Sequence, residues 1–229
     1  MCDFDGTVTD DDVAQLIFDR FGSTMWWDLE NRFRRGEISC KNALVGEFST
    51  VRGERKEIED FVSNYVCISP SFDRFIETCS KRNVPVYVVS DGLDFYVNLI
   101  LSKVGLDGMK VFCNKAIFED RRVRINFPYG NSECEKCGNC KTQHLKKLKK
   151  KGYYVIYVGD GYSDMCAAKQ ADYIIAKSYL LDFCRSNKIA CGTFKTFEDV
   201  VGLVNKKLDE LGNEKSTQQV AATDPVRSI

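Results

Sequence analysis

Three runs of β-branched and aromatic residues, Val84 to Val89, Tyr154 to Val158 and Tyr173 to Ala176, carry apolar side chains without interruption. A strand with one wet face alternates polar and apolar residues, whereas a strand buried on both faces does not. The runs therefore predict strands covered by helices above and below. Helical spacing surrounds them: Phe72, Phe75, Ile76 and Cys79 precede the first run, and further helical patterns open at Ser163, Leu180 and Phe197. Strand and helix in alternation predict an α/β fold, a Rossmann-like doubly wound parallel sheet. Between Lys110 and Pro128, two more β-rich runs flank Glu119 and Asp120 and predict a hairpin over the sheet's edge.

The N-terminal third reads differently. Val13, Leu16, Ile17 and Phe21 recur at helix spacing behind Asp10, Asp11 and Asp12, acidic residues that suit a helix N-terminus. Gly22 and Gly36 are placed to close successive helices, and two further patterns carry Ala43, Leu44 and Phe48, then Ile58, Phe61, Val62 and Tyr65. The expected organisation is a core domain of residues 1–10 and 70–211, an inserted helical cap of residues 11–69, and a polar, aperiodic flexible tail of residues 212–229. A chain of 229 residues with 44% hydrophobic side chains suffices for one buried core and a small accessory domain.

Thirty-three basic residues balance 33 acidic ones, so no net field favours nucleic acid or an anionic membrane, and any anion site must be local. No segment has the length and apolarity of a membrane span, and a cytoplasmic location is expected. Eleven cysteines, an odd number mostly set singly in apolar patterns, read as reduced thiols. The exception is Cys134, Cys137 and Cys140, a C-x-x-C-x-x-C run that Cys113 could complete as a structural Zn²⁺ site. Together with Lys146 to Lys151 that run also allows a rival reading, a metal or nucleic-acid module, although Leu145 and Leu148 make the lysines the solvated face of a helix. His144, the sole histidine, sits away from any carboxylate and reads as packed or exposed rather than catalytic, while Trp26 and Trp27 read as packing between cap helices.

In an open α/β sheet, ligands bind beyond the carboxyl ends of the strands. Polar residues stand there in four places: Asp3, Asp5, Gly6 and Thr7 near the start; Ser90, Asp91 and Gly92 after Val89; Lys141 opening a helix; and Asp160, Ser163 and Asp164 after Val158. Cleavage of a phosphate monoester needs a nucleophile, a proton donor for the leaving oxygen and positive charge on the phosphoryl oxygens. Asp3 and Asp5 are candidates for nucleophile and proton carrier, with Gly6 letting Asp5 turn toward a different atom. Carboxylates at Asp3, Asp5, Asp160 and Asp164 suit Mg²⁺, which prefers oxygen ligands. Ser90, Asp91, Gly92 and Lys141 are placed to hold the phosphate. The expected partner is a small phosphorylated metabolite.

These four groups give the chain its resemblance to the haloacid dehalogenase superfamily of phosphatases, whose motifs match Asp3 to Thr7, Ser90, Lys141, and Asp160 with Asp164, over most of residues 1–210. The resemblance implies that Asp3 is the nucleophile, Asp5 the general acid and base, and Thr7 an orienting group for Asp5. It implies a helical cap after the first motif and Mg²⁺ as cofactor. The opening Cys2-Asp3-Phe4-Asp5-Gly6-Thr7 run, Tyr87 to Asp94, and the cysteine loop before Lys141 resemble the phosphoserine phosphatase-like branch, and within it the methionine-salvage enzymes. Phosphoserine and phosphoethanolamine or phosphocholine are the alternative substrates. Two departures stand out: only Met1 and Cys2 precede the nucleophile in what should be a central strand, and Asp12 occupies the position of the glutamate that binds the amino group in phosphoserine phosphatases.

Overall fold

The structure, a computed structural model, describes residues 1–223, and side chains through residue 213. Four helices open the chain: α1 (Val13–Phe21), α2 (Met25–Arg34), α3 (Cys40–Thr50) and α4 (Arg55–Tyr65). Their starts follow from capping chemistry. Asp12 accepts the Gln15 amide at 2.9 Å, Ser39 accepts the Asn42 amide at 3.2 Å, and Glu54 with Glu57 forms a capping box. Val13, Ile17 and Phe18 on α1, Phe48 on α3, and Ile58 and Val62 on α4 are buried, which is the apolar face the spacing predicts.

The remainder alternates: α5 (Phe72–Lys81), β1 (Tyr87–Leu93), α6 (Asp94–Lys103), β2 (Lys110–Glu119), β3 (Arg122–Asn126), α7 (Lys141–Lys150), β4 (Ile156–Gly159), α8 (Met165–Ala168), β5 (Tyr173–Ala176), α9 (Ser178–Ser186), β6 (Gly192–Thr193) and α10 (Phe197–Thr223). β1 pairs in parallel with β2, which turns back on β3, and β5 lies parallel between β4 and β6. Cys2 joins the two halves. It donates to the Tyr87 carbonyl and accepts from Val89, both at 2.8 Å, while Asp3 donates to the Val158 carbonyl and Val158 to that of Met1, both at 2.9 Å. The order β3-β2-β1-Cys2-β4-β5-β6 reverses direction at Cys2, so Asp3 sits at the topological switch point.

Several elements depart from their sequence expectation. β1 starts at Tyr87 rather than Val84, in keeping with Pro85, which has no amide to give a ladder. It continues past Val89 to Leu93 because β2 pairs with both, Val89 with Phe112 and Leu93 with Asn114, across a register irregularity. The short first strand is reduced to a bridge at Cys2. In place of an irregular tail from residue 212, α10 runs on to Thr223, through a stretch rich in helix-forming residues; residues 224–229 of that expected tail lie outside the described residues.

The hairpin touches the helical block as well as the sheet. Arg52 bridges Arg122, and the Gly53 amide donates to Arg121 at 3.0 Å. Among the described residues, no helix is long and apolar enough to cross a membrane. α10 is fastened to α5 by Phe197, fully buried against Phe72 at 4.9 Å and Phe75 at 5.3 Å between ring centroids. Phe197→Ala should lower stability by about 3–5 kcal/mol, read as a shift of the urea midpoint at unchanged slope.

Candidate active site

Lys141 opens α7 and its side chain is almost wholly buried. Its Nζ donates to Asp3 Oδ1 at 2.6 Å, Asp164 Oδ1 at 2.7 Å and Ser163 Oγ at 2.8 Å, which uses all three of its protons. Asp164 lies in the short 3-10 turn Tyr162–Asp164 that follows β4. It also accepts from the Tyr157 hydroxyl at 2.6 Å and from the Asp160 and Gly161 amides at 3.0 Å, so both of its oxygens are occupied. Three distant stretches of chain are thereby fixed around one ammonium.

The negative charge exceeds what the lysine balances. Asp3, Asp160 and Asp164 bring ligand atoms within 4.8 Å of one another. Burial and then the Asp164 charge push Asp3 well above the usual carboxylate range, against the pull of Lys141. Asp160 rises to about 6, chiefly through burial and Asp164. Burial opposes the charge on Lys141, but Asp164 and Asp3 outweigh it and hold the lysine protonated. Three carboxylates against one ammonium leave two negative charges, a hard oxygen set that fits a divalent cation such as Mg²⁺.

Asp5 stands outside that group, a difference from the four-carboxylate set expected from the sequence. Gly6, at φ 70°, turns the chain so that Asp5 Oδ2 accepts from Ser90 Oγ at 3.1 Å and the Tyr96 hydroxyl at 3.2 Å. Its Oδ1 is buried without a partner. Burial, with Asp12 adding to it, pushes Asp5 up to about 7, which lets it carry a proton near neutrality. Thr7 orients Asp160 rather than Asp5, donating to Asp160 Oδ1 at 2.7 Å, because the same turn swings its hydroxyl to the β4 side. Ser90 is fully buried and spends its hydroxyl on Asp5 and on the Gly92 amide at 2.8 Å. Asp91, Gly92 and Lys141 do line the cavity. Gly92 has no room for more: a Cβ there would lie 2.1 Å from the Tyr96 hydroxyl and 2.6 Å from Asp5 Oδ2.

The cavity measures about 290 Å³ and runs from Asp3 and Asp160 to the helical block, where Phe18, Trp26, Phe33, Glu30, Arg34 and Glu47 line it. A larger cavity of about 400 Å³ beneath Met1 and Val84 is mostly apolar and holds none of these carboxylates, so the chemistry belongs to the smaller one. Tyr96, Tyr157, Glu47 and Asn139 were not among the residues singled out by sequence. Glu47 had a signal, a carboxylate one turn after Ala43 on the apolar face of α3. Asn139 ties the cysteine loop down, its amide group donating to the Ser90 and Phe112 carbonyls at 2.8 Å.

The four cysteines do not assemble a metal centre. Cys134 and Cys137 approach to 3.8 Å, but Cys140 Sγ accepts from Asn131 and Cys113 is buried on β2. Among the described residues, the only group of three or more His, Cys, Asp or Glu side chains with ligand atoms drawn together is the aspartate trio. His144 is packed, with Nε2 2.8 Å from Asn139 Oδ1 and its ring beside Phe112 and Tyr129.

Lys141→Met would strand two buried carboxylates and should cost about 3–5 kcal/mol in urea unfolding, with Asp164→Asn in the same chain restoring part of the loss. Burial pushes His144 from its ordinary 6.5 down to about 4. The neutral ring thus contributes stability that is complete above its unfolded value and is lost as pH falls through the folded one. Between pH 6.5 and 4, melting temperatures of His144→Gln should decline less than those of the unmodified protein.

A family model described as putative phosphatase matches residues 1–187. The chain is 33% identical over 208 residues to a 2-hydroxy-3-keto-5-methylthiopentenyl-1-phosphate phosphatase of Geobacillus kaustophilus (strain HTA426), covering 90% of this chain and 94% of the relative. A protein of the same name from Brevibacillus brevis is 30% identical, with 92% and 96% covered. A substrate-bound phosphoserine phosphatase complex superposes with a TM-score of 0.70 at 21% identity, covering 88% of this chain and 95% of that one. A phosphoserine phosphatase solved as a phospho-aspartyl intermediate analogue gives 0.67 at 23%, covering 85% and 92%. Those two structures establish the shared fold. The match over residues 1–187 and the curated relatives lead to one assignment: the chain belongs to the putative phosphatase family and is a hydrolase of small phosphomonoesters.

Proposed function

We propose that the chain hydrolyses 2-hydroxy-3-keto-5-methylthiopentenyl-1-phosphate, the substrate named for its relatives, using Asp3 as nucleophile and Asp5 as proton carrier. The observation that carries the mechanistic part is the pairing of unlike carboxyl groups two residues apart: Asp3 is held by Lys141, whereas Asp5 is held by Ser90 and Tyr96 and sits near 7. Partners this different suit the two carboxyl groups to different work: the ammonium beside Asp3 favours an ionised nucleophile, and the hydroxyls around Asp5 suit a group that carries a proton. A carboxylate oxygen of Asp3 forms a bond to phosphorus while the bond to the leaving oxygen breaks, and Asp5 gives that oxygen its proton. Asp5 then takes a proton from the water that attacks phosphorus, the bond to Asp3 breaks, and phosphate leaves.

Phosphatases of the haloacid dehalogenase superfamily use Mg²⁺, and Asp3 and Asp160 have the position and charge to hold it, with Asp164 fixing the turn that presents Asp160. When bound, the ion neutralises charge on the phosphoryl oxygens. Lys141 keeps Asp3 in one orientation, and Thr7 does the same for Asp160. The Gly92 amide side of the cavity, with Asp91, borders the phosphate. Phe18, Trp26 and Phe33 offer an apolar wall for a thioether tail. All eleven cysteines are free, which suits a reducing cytoplasm.

Asp3→Asn should lower release of phosphate from the keto-enol phosphate by at least about 1,000-fold with little change in melting temperature. Turnover within tenfold of the unmodified chain would remove Asp3 from the mechanism. Failure of the unmodified, Mg²⁺-supplied enzyme to release phosphate from that ester would remove the substrate.

A further inference from the structure

Among the described residues, three buried side-chain oxygens lack a hydrogen-bond partner: Asp5 Oδ1, Asn114 Oδ1 and Glu47 Oε1. The first faces the reaction. Asn114 is not part of the cavity wall. Glu47, only 4% exposed, lines the cavity from α3 at the end away from Asp160. An orphaned buried oxygen costs about 1–3 kcal/mol, so a protein that keeps one at a ligand cavity has left it for the ligand.

Its surroundings define what that ligand can be. The neighbouring acids are already engaged, since Asp12 accepts the Gln15 amide at 2.9 Å and Glu30 accepts Arg34 Nε at 2.6 Å. Arg34 is the one guanidinium in the wall and is spent: besides Glu30 it donates to the Tyr179 hydroxyl at 2.9 Å and lies over the Tyr162 and Tyr179 rings. Lys141 is committed to Asp3, Asp164 and Ser163. Among the described residues, no cation lining the cavity is left for a carboxylate on the leaving group, and the carboxylates of Asp12 and Glu30 repel one.

We infer that Glu47 selects the leaving group: its carboxyl group at the cavity wall receives an uncharged oxygen function, a hydroxyl or carbonyl next to the phosphate, and the acidic wall around it rejects carboxylated esters. Burial, then the charges of Glu30 and Asp12 and a hydrogen bond with the Glu30 carboxylate, push Glu47 up to about 8, so at neutral pH it holds a proton that it shares with Glu30 and can accept a hydrogen bond from a ligand. The inference rests on the proposed substrate to this extent, that a hydroxyl and a ketone beside the phosphate, with no carboxylate, are what the relatives' name prints.

The test compares kcat/KM for glycerol 3-phosphate, 3-phosphoglycerate and the keto-enol phosphate in Glu47→Gln, Glu47→Leu and Glu47→Lys, with melting temperatures as a control for folding. Glycerol 3-phosphate and 3-phosphoglycerate differ in one place, a hydroxymethyl group against a carboxylate. Glu47→Leu should raise KM for glycerol 3-phosphate about tenfold with a smaller change in kcat, and Glu47→Gln, which keeps a donor and an acceptor, should restore it. Glu47→Lys should move the preference toward 3-phosphoglycerate by about 100-fold, the scale of a new buried charge pair. Unchanged KM in a folded Glu47→Leu enzyme overturns the inference, as does an unmodified enzyme that takes 3-phosphoglycerate as readily as glycerol 3-phosphate. If the keto-enol phosphate is not turned over while the Leu and Gln variants behave as stated, Glu47 keeps its role and only the substrate's identity falls.

Discussion

A single buried ammonium organises this molecule. Lys141 Nζ contacts Asp3, Asp164 and Ser163, and those residues come from the first strand bridge and from the turn after β4, on either side of the sheet's reversal. Charges this deep are tolerated only when paired and fully hydrogen-bonded, so the fold cannot close correctly without bringing these segments into register. The stabilisation is incomplete, because three carboxylates outnumber the lysine. The folded chain therefore carries a standing demand for a cation, and the active site is the place where that demand is met.

The rest of the site is arranged by what surrounds each carboxylate. Asp3 and Asp5 are separated by one residue, yet Gly6 sends them to different partners, a lysine for one and two hydroxyls for the other. Thr7 goes to Asp160, where it holds the carboxylate on the far side of the cleft. Distinct hydrogen-bond environments give chemically identical side chains different work. The helical block lines the other end of the cavity with aromatic side chains, a guanidinium paired with Glu30, and the buried carboxyl group of Glu47.

Much of this was legible in the chain. The helix starts at Asp12 and Ser39, the buried runs that became β4 and β5, and the acidic residues after them were readable because capping, strand burial and strand-end position are local properties. β1 was shifted because a local reading cannot see which neighbours supply its ladder. The cysteine spacing shows the same limit: C-x-x-C geometry is local, whereas the placement of Cys113 depends on β2 packing and that of Cys140 on Asn131.

The sequence by itself determined the fold class and the inventory of the site, since alternating buried runs and helices admit few architectures and the residues at strand ends are fixed by where the strands stop. It could not decide partners. That Thr7 serves Asp160, that Tyr96 and Tyr157 brace two carboxylates, and that Glu47 lies buried in the cavity wall were settled only by tertiary structure. A hydrogen bond such as that from Thr7 to Asp160, 153 positions apart, depends on how the intervening turns place the two residues and on burial from all sides, and neither is written in any local stretch of chain.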